Sequence, residues 1–198
     1  MNNMKGKVKV LNDYEINKST MAIVPEFTVD LALISKVYET DDNFYVLMKP
    51  IEIIERSCAY FGSSYRGRRE GTKQMISITH KPPIAISSMN QIFFFPTSSS
   101  LKVECTWISY NHVSNFKGGK YNRSIVQFFN GVEIALEISR GSFENQLYRT
   151  AHLRAIYEDR LNPVNIQQKS YKLIPDKEIT SYIKGVVVHE HNEAVSED

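Results

Sequence analysis

The clearest structural signal in this chain is the stretch SIVQFFNGVEIALEI, residues 124–138. Two apolar runs, 124–129 and 132–138, flank Asn130 and Gly131. An Asn-Gly pair is the strongest short hairpin signal because both residues tolerate the positive φ of a type I′ turn. In the second run, isoleucine and leucine alternate with glutamate and alanine, which predicts one buried and one wetter face. The stretch therefore predicts two antiparallel strands that cover a core.

Further strands are predicted where short apolar or β-branched runs end in turn residues. The run 20–24 ends at Pro25, and the runs 31–38 and 44–48 flank a polar turn and form a second predicted hairpin. The remaining strand predictions cover residues 75–79, 91–95 and 103–110. These short strands and short connections predict a mostly antiparallel sheet.

Two main helices accompany the predicted sheet. Pro50 begins the first, since proline is tolerated at a first helical position, and Gly62 ends it. Its apolar face consists of Ile51, Ile54, Cys58 and Phe61, which recur at helical spacing. The second helix covers residues 142–161, with Ser142 as its cap. Its predicted apolar face consists of Phe143, Leu147, Tyr148, Ala151 and Ala155. The chain is thus predicted to be an α+β protein.

The predicted elements divide the chain into three parts. Residues 1–13 form a flexible N-terminus, residues 14–161 form the α+β domain, and residues 162–198 form a C-terminal regulatory segment with an acidic tail. Within the domain, two stretches of sequence follow the same order of strands, proline, helix start and Tyr-Arg pair. An open alternative is therefore an internal duplication with two similar halves, 14–75 and 76–161.

Charge and cysteine content exclude several classes of protein. The net charge of +2 does not indicate a nucleic-acid binder by itself, but residues 56–103 contain seven basic residues and one acid, Glu70. Two cysteines cannot form a disulfide framework or a four-cysteine metal site. The chain shows neither a secretory signal nor the roughly 20 apolar residues that a membrane helix needs. A cytoplasmic protein without membrane contact is expected.

The segment GSSYRGRREG, residues 62–71, is predicted to be an exposed loop because it is rich in glycine and arginine. Its glycine spacing resembles that of a phosphate-binding P-loop. However, arginine occupies both the lysine and the hydroxyl positions, and the segment follows a helix, which excludes that site. The histidines lack obvious carboxylate partners, and no serine stands in a nucleophile elbow. A non-enzyme without metal or cofactor is therefore expected.

A DNA-binding interpretation agrees better with this segment. Arginine is suited to phosphate contacts and to a narrow minor groove because its guanidinium is planar and weakly hydrated. We expect phosphate and groove contacts from Arg66, Arg68, Arg69 and Lys73. Residues expected to fix the register on the duplex are His80, Lys81, Thr97 and Ser98, the last two in a serine-rich cluster at 97–100. The alternative is a solvated charged loop and an ordinary serine-rich turn.

Six blocks of sequence resemble consecutive blocks of the ComK family of bacterial competence regulators. They are residues 56–68 (RSCAYFGSSYRGR), 71–72 (GT), 78–84 (ITHKPPI), 90–97 (NQIFFFPT), 105–109 (CTWIS) and 142–151 (SFENQLYRTA). The blocks occur in the order found in the family, and the resemblance covers roughly residues 14–178. A second, fold-level resemblance is to LytTR-type DNA-binding domains, which have a similar order of elements and imply two LytTR-like halves.

The family resemblance implies a sequence-specific transcription activator that binds AT-rich promoter boxes through the minor groove. Such a protein assembles on double-stranded DNA as a dimer or tetramer and acts with RNA polymerase. It activates genes for DNA uptake and recombination, including its own. The segment YKLIP is similar to a family segment that a MecA-type adaptor captures for the ClpC protease. The implied adaptor contacts are Tyr171, Leu173, Ile174 and Pro175.

Two other functions remain open at this point. RNA recognition would use Phe93, Phe94 and Phe95 as a stacking surface, although no RNP-like pattern surrounds them. A protein-only regulator or a nucleic-acid-processing enzyme is the alternative from a different class. Divalent-metal dependence would favour the enzyme, whereas salt-dependent binding to AT-rich duplex without turnover would favour the activator.

Overall fold

The computed structural model describes residues 8–162, which form two sheets and three α-helices. The strands are β1 (Val10–Leu11), β2 (Thr20–Phe27), β3 (Leu33–Glu39), β4 (Asn43–Val46), β5 (Ile84–Ser87), β6 (Ile92–Pro96), β7 (Trp107–Ser109), β8 (Val113–Gly118), β9 (Ser124–Phe128) and β10 (Glu133–Leu136). The helices are α1 (Pro50–Tyr60), α2 (Tyr65–Ile76) and α3 (Arg140–Leu161). The large sheet has the order β1-β4-β3-β2-β7-β6-β5, and the small sheet has the order β10-β9-β8. Every pairing except that of β1 with β4 is antiparallel, which confirms the α+β class.

The large sheet is buried on both faces. On one face, the apolar side of α1 packs with Phe94 and Trp107. On the other face, the small sheet and Phe143 of α3 pack with Phe95. Because alternate side chains of a strand enter different cores, β6 is buried along its whole length. Phe93, Phe94 and Phe95 are therefore core residues and do not form the exposed surface that RNA stacking would need.

The hairpin between β9 and β10 is confirmed, but its turn differs from the predicted type I′. The Phe128 N–H donates to the Val132 oxygen, and the Gly131 N–H donates to the Phe128 oxygen, each at 2.9 Å. Within the three-residue loop, only Gly131 has a positive φ, of 86°. This is the pattern of a type I turn followed by a glycine bulge. The Asn130 side chain accepts a hydrogen bond from the Val132 N–H at 3.1 Å through its Oδ1, and its Nδ2 donates to the Thr40 oxygen at 2.8 Å.

Two boundaries in the first half of the chain differ from the prediction. β2 continues through Pro25 instead of ending before it. The proline is tolerated because β7 pairs with β2 only at Ala22 and Ile23, so that Pro25 pairs with β3 alone. The sheet also begins at Val10, inside the segment 1–13 that the sequence predicted to be a flexible N-terminus.

α3 is present as predicted, but its start and its buried face differ. Ser139 caps the helix in place of Ser142, because the Ser139 Oγ accepts a hydrogen bond from the Ser142 N–H at 3.2 Å. The buried residues of α3 are Phe143, Gln146, Thr150 and Leu153. Of the other predicted apolar positions, Leu147 and Ala151 are half-buried, whereas Tyr148 and Ala155 are exposed.

The strand predicted over residues 75–79 is wrong, because Met75 and Ile76 belong to the last turn of α2. The strand predicted over residues 103–110 is reduced to β7. β2, β3, β4 and α1 form three successive antiparallel strands followed by a helix, and β8, β9, β10 and α3 repeat that order. An internal duplication with LytTR-like halves stays a prediction.

Candidate nucleic-acid interface

The arginine-rich segment 62–71 is helical over most of its length, which corrects the predicted loop. α2 begins at Tyr65, and Ser64 caps it, because the Ser64 Oγ accepts a hydrogen bond from the Gly67 N–H at 3.0 Å. The short connection from α1 contains Gly62, whose φ of 73° reverses the chain after α1. α1 and α2 are therefore two helices joined by a tight turn, and the chain has a third helix that the sequence analysis missed.

α2 was missed because its local signals are weak. Gly67 and Gly71 each cost about 1 kcal/mol relative to alanine in a helix interior. Only Thr72 and Ile76 of this helix are buried. Tertiary contacts stabilise it, since the Thr72 hydroxyl donates to the Pro83 oxygen at 3.0 Å and Ile76 packs with α3. The available sequence signal was the capping serine before the first turn.

Three of the predicted DNA-contacting side chains lie together on one exposed groove. The groove encloses about 400 Å³ and is lined by Arg66, Arg69, Glu70, Lys73, Ile78, Thr79 and Pro82; we call it the basic groove. Its charged residues share a face because they are three or four residues apart along α2. The other lining residues come from the connection between α2 and β5. Arg66, Arg69 and Lys73 are all exposed to solvent.

Charge pairing leaves the basic groove with an excess of positive charge. The Arg66 Nε lies 3.1 Å from the Glu70 Oε1, in an exposed pair of a kind that contributes about 0.3–0.5 kcal/mol. The Arg69 guanidinium lies 5.7 Å from the centre of the Tyr65 ring. Within residues 8–162, Lys73 makes no ion pair. A groove with three cations and one carboxylate attracts a polyanion.

Arg68 lies apart from this surface, although the sequence grouped it with its neighbours. It is half-buried, and its Nε is buried without a hydrogen-bond partner in the described part of the chain. Its charge acts on Cys58 of α1. Burial raises the pKa of the Cys58 thiol to about 11, and the Arg68 charge offsets a part of that rise. Arg68 therefore faces α1, and Cys58 is a protonated core residue at neutral pH.

The segment with His80 and Lys81 lies next to the basic groove and is attached to α3. Gln146 is only 4% exposed, and its Nε2 donates to the Lys81 oxygen at 3.0 Å and to the Pro96 oxygen at 2.6 Å. The Arg149 Nη1 donates to the His80 oxygen at 3.3 Å. The predicted side chains of His80 and Lys81 are exposed. Gln146 and Arg149 thus position this segment, a role that the sequence analysis missed.

The serine-rich turn, from which DNA contacts by Thr97 and Ser98 are predicted, is partly buried. Thr97 is buried, and its hydroxyl accepts a hydrogen bond from the Thr106 N–H at 3.1 Å. Ser98 is half-buried, and its carbonyl oxygen accepts from the Cys105 Sγ at 3.6 Å. The Thr97 side chain therefore stabilises the turn, and neither residue lines the basic groove.

Residues 8–162 hold neither a metal-binding cluster nor a membrane-spanning helix. In that part of the chain, no group of three or more His, Cys, Asp or Glu side chains is arranged to hold a metal ion. None of the helices there is long and apolar enough to cross a membrane. The adaptor contacts predicted at Tyr171, Leu173, Ile174 and Pro175, and the acidic tail, lie outside the described residues.

Replacing Ser64 by alanine is expected to lower the free energy of unfolding by about 0.5–2 kcal/mol, because the Gly67 N–H loses its acceptor. Urea unfolding measures the loss. Ser64→Asp restores an acceptor and should stay close to the wild type. Ser63→Ala is the neighbouring control, and an equal loss in that variant would contradict the capping role of Ser64.

Comparison with known proteins identifies the family. The family model described as ComK protein matches residues 11–162. The chain belongs to the ComK family. It is 45% identical over 183 residues to the competence transcription factor of Bacillus subtilis (strain 168), in an alignment that covers 92% of this chain and 95% of the relative. No solved structure gives a significant match. The resemblance to the ComK family that the sequence showed is thereby confirmed.

Proposed function

We propose that this chain is a sequence-specific DNA-binding transcription activator of competence genes, including its own, and that it binds AT-rich promoter boxes through the minor groove. The observation that carries the proposal is the exposed basic groove on a chain that is 45% identical to a competence transcription factor. Arg66, Arg69 and Lys73 supply the groove's cations, and His80 and Lys81 add exposed side chains beside it. Arg68, Thr97 and Ser98 are omitted because none of them lines the groove: Arg68 is half-buried with a buried Nε, and the Thr97 hydroxyl is engaged in the serine-rich turn.

α2 supplies phosphate contacts and does not itself enter the minor groove. A helix with its side chains is about 10–12 Å in diameter, whereas the minor groove of B-DNA is about 6 Å wide. Arg66 and Arg69 extend from the exposed face of α2 and reach the sugar-phosphate backbone at the edge of the DNA minor groove. Such contacts position a protein on the duplex and make binding depend on salt.

The same proposal includes partners that the family resemblance supports. The chain assembles on double-stranded DNA as a homodimer or tetramer, acts with RNA polymerase in the cytoplasm and uses no cofactor. A MecA-type adaptor delivers it to the ClpC protease, with Tyr171, Leu173, Ile174 and Pro175 as the proposed contacts.

Equilibrium binding to fluorescent AT-rich and GC-rich duplexes across a salt series tests the proposal. The wild type is expected to prefer the AT-rich duplex and to lose affinity as salt rises. The triple variant Arg66→Ala, Arg69→Ala, Lys73→Ala removes the groove's cations. It is expected to reduce the slope of log K against log salt by about 0.9 per lost phosphate contact, and thus by up to about 2.7.

Glu70→Gln is a control on the same helix, and its expected effect on DNA affinity is opposite to that of the triple variant. It removes the carboxylate that lines the basic groove, so the affinity for both duplexes should rise. If the triple variant and Glu70→Gln both keep wild-type affinity and slope, the basic groove is not part of the interface. If the wild type shows no salt-dependent duplex binding, the proposed function is wrong.

A further inference from the structure

The hairpin between β8 and β9 ends in an exposed basic turn. The Arg123 N–H donates to the Lys120 oxygen at 3.3 Å, so residues 120–123 close the hairpin. All four of these residues are exposed, and Tyr121 is 90% exposed. We call residues 117–123, with the sequence KGGKYNR, the basic tip.

The backbone of the basic tip adopts a conformation that is unfavourable for Tyr121. Tyr121 has φ 55° and ψ 40°, and Asn122 has φ 58°. Two successive positive φ values are those of a type I′ turn, which normally holds asparagine and glycine. Asparagine tolerates this region, but a bulky tyrosine rarely adopts it. Burial does not compensate for this backbone strain, because Tyr121 is exposed. Strained residues of this kind concentrate at binding sites.

The charges of the basic tip are arranged along the hairpin. Lys117 is paired with Glu133 of β10 at 3.3 Å, and Arg123 is paired with Glu137, the residue after β10, at 2.7 Å. These exposed ion pairs keep the two basic side chains beside the strands. Because such pairs are weak, each cation can readily exchange its carboxylate partner for a phosphate. Lys120 makes no ion pair within residues 8–162 and lies at the end of the hairpin. The basic tip therefore carries an uncompensated cation beside an exposed aromatic ring.

α3 connects the basic tip to the basic groove. Its first residue, Arg140, lies beside Gly118 of β8, where an added Cβ would come within 3.9 Å of the Arg140 Cβ. Further along α3, Leu153 packs with Ile76 at the end of α2. From Arg140 to Leu153 the helix rises roughly 20 Å at about 1.5 Å per residue. B-DNA advances about 3.4 Å per base pair, so this length of α3 corresponds to about six base pairs.

We propose that the basic tip is the element that enters the minor groove of the bound duplex, next to the phosphates contacted by the basic groove. This inference rests on the proposed function and deepens it. The end of the hairpin projects single side chains, Lys120 and Tyr121, which fit a groove about 6 Å wide. The narrow minor groove of AT-rich DNA has an enhanced negative potential that attracts Lys120. Tyr121 places its ring against the groove walls.

The variants Lys120→Ala and Tyr121→Gly test the inference in the full chain, with the same AT-rich and GC-rich duplexes and salt series. Each is expected to bring the ratio of AT-rich to GC-rich affinity closer to one. Lys120→Ala should also reduce the salt slope by about 0.9, which shrinks the affinity change between 50 and 200 mM salt by about 3.5-fold. Tyr121→Gly should keep or raise the melting temperature, because glycine adopts a positive φ without strain.

Lys18→Ala is a matched control at the opposite end of the hairpin. Lys18 is exposed, and its carbonyl oxygen accepts from the His112 Nε2 at 2.8 Å, just before β8 begins. The five steps of β8 separate this end from the tip by roughly 17 Å. Lys18→Ala is therefore expected to keep the wild-type preference and slope.

Three results would overturn the inference, and they can be distinguished from one another. If both tip variants keep the wild-type preference and slope while the triple variant of the basic groove loses affinity, the tip lies outside the interface and the proposed function stands. If the tip variants lose affinity equally for both duplexes, the tip contacts phosphate and does not read the minor groove. If the wild type binds neither duplex, the proposed function fails and the inference fails with it.

Discussion

Replacing Phe143 by alanine is expected to lower the free energy of unfolding by about 3–5 kcal/mol. The side chain is fully buried, and its ring centre lies 5.4 Å from that of Phe95 and 5.1 Å from that of Phe116. These three rings come from α3, the large sheet and the small sheet. The truncation therefore leaves a cavity where three layers meet, and urea unfolding measures the loss.

Leu147→Ala and Tyr148→Ala are controls on the same helix. Leu147 is half-buried, so its loss should be smaller than that of Phe143. Tyr148 is 67% exposed, and its truncation should change stability by no more than about 0.5 kcal/mol. The sequence placed all three residues on one apolar face. Similar losses of stability in the three variants would support the apolar face predicted from the sequence and contradict the structure.

The fold could be predicted wherever apolar periodicity alone decides burial. The hairpin around Gly131 and the first helix are of this kind, since α1 buries Ile54 and Cys58 at the predicted spacing. α3 shows the limit of the method, because Gln146 and Thr150 occupy its buried face and satisfy their polar groups there. The Thr150 hydroxyl donates to the Gln146 carbonyl oxygen at 2.7 Å. A pattern of apolar residues cannot reveal positions that are buried through hydrogen bonds.

The residues of the candidate site could be predicted, but not their arrangement. In a flexible loop, Arg66, Arg68 and Arg69 would be equivalent. In a helix, steps of three and four residues bring Arg66, Arg69 and Lys73 to one face and turn Arg68 toward α1. The difference depends on tertiary contacts of α2 that its own composition does not indicate. The basic tip was missed for a related reason, since the positive φ of Tyr121 is not visible in the sequence.

Gln146→Leu is expected to lower both the stability of the fold and its affinity for DNA. Leucine has a similar size but cannot donate to the Lys81 and Pro96 carbonyl oxygens. Pro96 is buried, so leaving its oxygen without a partner costs about 1–3 kcal/mol. The loss at Lys81 loosens the connection between α2 and β5, because only the Arg149 bond to the His80 oxygen then remains of the two groups of bonds that attach it to α3. Urea unfolding and duplex binding at a temperature where the variant remains folded measure the two effects.

Asn145→Leu is the matched control, because Asn145 is the exposed neighbour of Gln146 on the same helix. It should keep wild-type stability and binding. A stability loss in Gln146→Leu with unchanged affinity and salt slope would show that the segment of His80 and Lys81 makes no contact with DNA. A parallel loss of affinity for AT-rich and GC-rich duplexes is expected instead, because this segment borders the phosphate-contacting groove and not the tip proposed to read the minor groove. Gln146 would then act as a positioning residue, through the backbone that it holds.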